Sequence, residues 1–96
     1  MELIQTVFVR RDWGEDYFQE WHEDWTVQAW MERLFRNNGN TGDFNGAEYP
    51  LTKKAIDQLE VDMPNLKELC VKARESLKEG ETVFYTSSWF GEGWDW

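Results

Sequence analysis

The amino-acid sequence predicts an α+β fold: a small antiparallel sheet from residues 3–10, 82–86 and, as a short edge, 47–50, packed against three helices over 15–36, 52–62 and 64–79. Three observations predict it. Leu3 to Arg10 and Thr82 to Thr86 are rich in β-branched and aromatic residues. The stretches between them carry apolar residues at three- and four-residue spacing, and Gly, Pro and Asn gather at only a few places. A chain of 96 residues has room for one domain with one core.

Leu3 to Arg10 alternates Leu3, Gln5, Val7, Val9 with Ile4, Thr6, Phe8, Arg10, the period of a strand. Trp13 and Gly14 punctuate, and residues 15–36, free of Gly and Pro, read as helix. At helical spacing Tyr17, Phe18, Trp21 and Trp25 fall on one side, while Val27, Trp30, Met31 and Leu34 fall roughly 130° around. Asp16, Glu20, Glu23 and Asp24 occupy the side that turns apolar after Thr26. The expectation is a helix bent or restarted near Asp24, which would cap its second half; an unbroken helix touching different things on two faces is the alternative.

Residues 37–46 are a loop by their Asn, Gly and Asp content. Ala47 to Pro50 reads as an edge strand, because Pro50 has no ladder donor. Thr52 is the expected N-cap of a helix through Asp62, with Ala55, Ile56, Leu59 and Met63 on one face. Pro64 opens the next helix, Leu66, Leu69, Cys70, Ala73 and Leu77 give it a core stripe, and Gly80 stops it. Thr82 to Thr86 pairs with the first strand.

Nineteen acidic against ten basic side chains give a formal charge of −9, which disfavours direct contact with nucleic acid phosphates or an anionic membrane and favours basic partners. There is no run of about 18 apolar residues, and Met1 to Gln5 lacks the regions of a signal peptide, so a cytoplasmic chain is expected, in a host cell if the chain is viral. Cys70 lies on a helical apolar stripe and reads as a buried structural thiol. His22 is the single histidine, which argues against most His metal sites and against Ser-His or Cys-His catalysis. Asp16, Glu20 and Asp24 share the spacing of one helix face, read as solvated. No register of the 37–46 loop fits a calcium loop, and no phosphate-binding or dinucleotide Gly motif is present. The chain is expected to be neither an enzyme nor a holder of a metal or cofactor.

The seven tryptophans are clustered: Trp13, Trp21, Trp25 and Trp30 lie early, Trp89, Trp94 and Trp96 close the chain, and residues 31–88 hold none. The two ends are expected to meet. Between Asp12 and Asp24 stand six carboxylates and no Lys or Arg, interleaved with Trp13, Tyr17, Phe18 and Trp21. Residues 89–96 repeat the mixture as an aromatic-acidic tail. Rings supply desolvated contact area and carboxylates supply steering and Arg pairing. The candidate partner-binding residues are Asp16, Glu20, Glu23 and Asp24 on the first helix and Trp89, Glu92, Trp94 and Asp95 in the tail.

Trp21 and Trp30 nine apart, the Gly39 to Gly46 loop, Tyr49, the Thr52 to Leu59 segment and Phe84 to Ser87 leading into Trp89 to Trp96 resemble a family of small proteins encoded by tailed bacteriophages. In that family's early helix the usual basic segment is replaced here by His22-Glu23-Asp24-Trp25. The resemblance implies a phage genomic setting and carries no catalytic residues. Together these readings predict a small acidic protein that binds and modulates or inhibits a host or defence protein through an acidic-aromatic surface. A nucleic acid mimic that blocks a DNA-binding cleft, and a small-molecule binder with stacked Trp and Tyr rings, are the alternatives. Unpaired strands and surface aromatics leave a homodimer open.

Overall fold

Leu3, Gln5, Val7 and Val9 are at most 1% exposed, while Glu2 and Arg10 at alternate positions are open to solvent. The period of two therefore marks a strand with its odd positions on a core. In the computed structural model, which describes residues 2–90, this strand is β1 (Glu2–Arg11). It is followed by β2 (Gly14–His22), α1 (Trp25–Asn37), β3 (Glu48–Leu51), α2 (Lys53–Asp62), a 3-10 turn (Pro64–Leu66), α3 (Lys67–Lys78) and β4 (Val83–Phe90). The strands form one antiparallel sheet in the order β2-β1-β4-β3, so the α+β class read from the sequence is the observed one.

One expected element does not form: residues 15–24 are β2 and the turn into α1, not helix. A two-residue connection, Asp12-Trp13, reverses the chain, and Gly14 opens the new strand at φ 145°, an angle open to glycine. Arg10 then faces Glu15 and Arg11 reaches Asp16, so the charge pairs flanking the turn become cross-strand ion pairs. A bulge hides the strand from a reading by period. Val7 faces Gln19 and Phe8 faces Tyr17, which leaves Phe18 as the extra residue. Tyr17, Phe18 and Trp21 thus take a helix-like spacing on an extended chain.

The change of face at Asp24 is an element boundary. Its carboxylate accepts from the Val27 N–H at 3.1 Å and caps α1. Asp24→Ala is expected to cost about 1 kcal/mol, seen as a lower urea midpoint at unchanged slope. The other helix signals hold. Thr52 Oγ1 accepts from the Ala55 N–H at 3.1 Å, Pro64 opens the 3-10 turn that feeds α3, and Gly80 follows α3 at φ 85°. β4 is longer than expected and carries Trp89 opposite Leu3, so Trp89 belongs to the sheet and not to a tail.

All three helices cover the same side of the sheet. Val27, Met31 and Phe35 of α1, Ile56 and Leu59 of α2, and Leu69 and Cys70 of α3 join one cluster with Val7, Val9, Val83 and Tyr85. Cys70 is a fully buried free thiol, and burial pushes its pKa up. Rings run through this core from the early to the late part of the chain: Trp21 to Tyr85 (6.5 Å), Tyr85 to Phe44 (6.1 Å) and Phe44 to Trp89 (6.5 Å). A polar network lies within it. The Tyr85 hydroxyl donates to Gln28 Oε1 at 2.6 Å and accepts from Gln5 Nε2 at 3.1 Å. Gln5 also bonds both backbone groups of Asp24, each at 2.9 Å, which anchors the start of α1 on β1.

Three carboxyls are held below their ordinary values: Asp57 by Lys53 and then Arg74, Asp62 by the Trp30 indole N–H and then Gln58, and Glu15 by Arg10 and then Tyr17. A folded value below the unfolded one stabilises above the unfolded value, 3.8 for Asp and 4.5 for Glu, and that stability is lost as pH falls through the folded value. The urea midpoint is expected to stay level from neutral pH to about 5 and to fall below about 4. Asp62→Asn should make that fall shallower.

Candidate functional site

Side chains alternate across a sheet, so the even positions of β1 and their neighbours point away from the helices. Among the described residues no helix lies on that face. The pairing registers place Tyr17, Phe8, Phe84 and Pro50 in one row across all four strands, and Glu20, Thr6, Thr86 and Glu48 in the next. Phe8 stacks on Phe84 with centroids 5.3 Å apart and meets Tyr17 at 6.0 Å. Arg10 lies over both phenylalanine rings, 5.5 and 5.3 Å from their centroids, and its guanidinium reaches Glu15 at 2.7 Å and Glu48 at 2.8 Å. This roof leaves Phe8 only 2% exposed, whereas Tyr17 is 61% exposed.

The electrostatics follow from that geometry. Bonds to Glu48 and then Glu15 raise the Arg10 pKa, and Arg10 lowers that of Glu15. The Tyr17 hydroxyl donates to Glu15 at 2.8 Å, which raises the tyrosine pKa. Glu2, Glu15, Glu20 and Glu48 share the face with Arg10, the one Lys or Arg among its described residues. His22 Nε2 lies 3.8 Å from Glu20. The result is an aromatic row with a negative rim, suited to contact with a cationic surface and lacking a nucleophile paired with a base.

Of the residues expected to bind a partner, Glu20 stands on this face. Asp16 is on the helix side at the end of the sheet, paired with Arg11 at 3.2 Å, where Arg11 also binds Glu81. Glu23 occupies a left-handed turn at φ 59° and donates its N–H to the Leu3 carbonyl at 2.9 Å. Asp24 is the α1 cap, and Trp89 is half-buried beneath the sheet against Phe44. Glu92, Trp94 and Asp95 lie outside the described residues. The single helical acidic face is corrected on this point: a strand sends successive side chains to opposite faces, and the bulge shifts the phase again.

The tryptophans also divide. Trp13 and Trp25 are exposed, Trp21 and Trp89 pack on the core, and Trp30 is buried with its indole N–H donated to Asp62 at 2.7 Å. The ends of the described chain do meet, but as adjacent strands and a ring chain inside the core. Surface grooves lie among the described residues. One of about 550 Å³ lies beside Arg11, Trp13, Glu81 and Phe84, and one of about 670 Å³ beside Trp25, Trp30, Arg33 and Met63. Among the described residues no group of three or more His, Cys, Asp or Glu is placed to hold a metal ion, and no helix is long and apolar enough to cross a membrane.

Sequence reasoning missed Phe8, Arg10, Glu48 and Phe84 as surface-forming residues. The outward register of β1 was the signal for the first two. Phe84 and Glu48 needed the strand order, which no local pattern contains. Nothing among protein-family models, curated proteins or solved structures matches this chain.

Proposed function

We propose that this protein is a small acidic binder that docks its open sheet face on a basic surface of another protein and thereby modulates or blocks it. The observation that carries this reading is the row Tyr17, Phe8, Phe84 and Pro50 bordered by Glu20 and Glu48 on a face that no described helix covers. The phage resemblance supports a host or defence protein as that partner. The exposed Tyr17 ring would supply the desolvated anchor, and the glutamate rim would speed encounter and set orientation.

The test is affinity purification from host-cell extract with the wild-type chain and with the double variant Glu20→Lys/Glu48→Lys. Both positions are exposed, and Glu48→Lys gives up a solvent-exposed ion pair with Arg10, so the variant should stay folded, with a modestly lower urea midpoint than the wild type. A basic protein retained by the wild type is expected to bind the double variant at least about tenfold more weakly. Equal retention by the two would overturn the reading. A salt titration of the same complex separates the nucleic acid mimic from ring anchoring: a mimic loses affinity steeply, whereas a ring-anchored complex persists.

A further inference from the structure

We propose that the outer edge of β2 is a docking site for one extended, basic segment of a partner protein, which adds to the sheet as a fifth strand. The inference rests on the reading above, since it names how the acidic surface takes hold of its partner. The fold treats the two edges of its sheet differently.

The β3 side is closed. β3 has four residues, and Pro50 sits opposite Phe84 where its missing N–H faces outward. Beyond β3, the free side of β4 is capped: Gly46 donates its N–H to the Ser87 carbonyl at 2.7 Å. Asn45 bonds both backbone groups of Trp89, as donor at 2.9 Å and as acceptor at 3.2 Å, much as a neighbouring strand would. This edge offers little to a second chain.

The β2 side is open. β2 has nine residues without proline, and among the described residues its one partner is β1. The Leu3 carbonyl accepts from Glu23, so the odd residues of β1 turn their backbone groups toward β2. In an antiparallel ladder the residues opposite the even ones then face outward: Glu15, Tyr17, Glu20 and His22. Among the described residues their outward side meets a single hydrogen bond, a 3.4 Å contact from the Gln19 side chain to the Glu20 carbonyl.

Charge selects the occupant. Residues 12–24 hold six carboxylates and no Lys or Arg, so a second copy of this chain would bring like charges together. The bulge at Phe18 further disfavours a flat pairing of two identical edges. A strand with Lys or Arg opposite Glu15 and Glu20 and an apolar residue opposite Tyr17 meets complementary side chains on the open face and a free row of backbone groups beside it.

The test uses the full-length protein and an eight-residue peptide with Arg and Val alternating with Thr. A second version of the peptide carries N-methyl groups on the backbone nitrogens that would face the protein. The methyl groups remove strand hydrogen bonds and keep the charge. Titrations followed by amide NMR are expected to show binding by the first peptide, slowed exchange of the Glu15, Tyr17, Glu20 and His22 amides, and at least tenfold weaker binding by the methylated form. Equal binding of both peptides, with shifts around Phe8 and Phe84 only, would overturn strand addition while the open-face reading stands. Failure of the unmethylated peptide to bind at low salt would also overturn it, and the charge-reversal test of the open face would remain to be judged separately. A dimer of the free protein with the same four amides already protected would assign the edge to a second copy and would equally overturn the proposal.

Discussion

Phe44→Ala is expected to destabilise the protein by about 3–5 kcal/mol, the range for removing a fully buried ring. Phe44 lies in the Asn- and Gly-rich loop between α1 and β3, yet it is 1% exposed. Its ring lies 4.9 Å from Phe35, 6.1 Å from Tyr85 and 6.5 Å from Trp89, and so joins a helix to the strand β4. The same loop supplies Asn45 and Gly46 to the edge of β4. Loss of the ring would therefore open a cavity and release an edge cap together. Domains of this size hold about 5–15 kcal/mol in total, so the variant should unfold at a much lower urea concentration and near physiological temperature. A loss below about 1 kcal/mol would mean that the loop repacks and that the ring chain is not a unit.

Tyr85→Phe is expected to cost about 1–3 kcal/mol at neutral pH, since it keeps the ring and removes only the hydroxyl from a buried site. Gln28 Oε1 would lose its donor and Gln5 Nε2 one of its two acceptors, both inside the core. The substitution should also change the alkaline limb. Burial pushes the Tyr85 hydroxyl up to about 12, above its ordinary value of 10.0. A folded value above the unfolded one means that the stabilisation is complete below pH 10 and is lost as pH rises through 12. Wild-type stability should decline over that window, and Tyr85→Phe should lose that part of the decline. Urea titrations of the two proteins from pH 7 to 11.5 measure both effects. Parallel curves throughout would show that Tyr85 does not titrate with unfolding.

The helices after residue 50 were legible because their signals are local. Thr52, Pro64 and Gly80 act on the backbone within a turn of themselves, and the apolar stripes repeat at the helical period. β2 was not legible, for the bulge at Phe18 breaks the period of two and leaves rings at helical spacing. The reversed charge order of Arg10-Arg11 and Glu15-Asp16 about Asp12-Trp13 was a usable hairpin signal, because pairing across a two-residue turn brings opposite charges into contact. Of the candidate surface, the sequence pointed to Glu20 and to the mixture of rings and acids. It did not separate Asp24 and Trp89, which hold the fold, from Glu48 and Phe84, which form the open face.

By itself the sequence determined the α+β class, the helix starts at Thr52 and Pro64, the first strand and the negative charge, because each depends on neighbours a few residues apart or on composition alone; at Asp24 it marked a bend or restart within a longer helix, not the helix's beginning. Only the tertiary structure decided the strand order β2-β1-β4-β3, the row that joins Tyr17, Phe8, Phe84 and Pro50, and the sealing of one sheet edge beside an unsealed one. Those features arise from pairings between segments, some of them eighty or more residues apart, as Gln5 with Tyr85 and Glu2 with Phe90 show. Such pairings are chosen by the burial of a shared core and the satisfaction of backbone hydrogen bonds, and no window of local sequence carries that information.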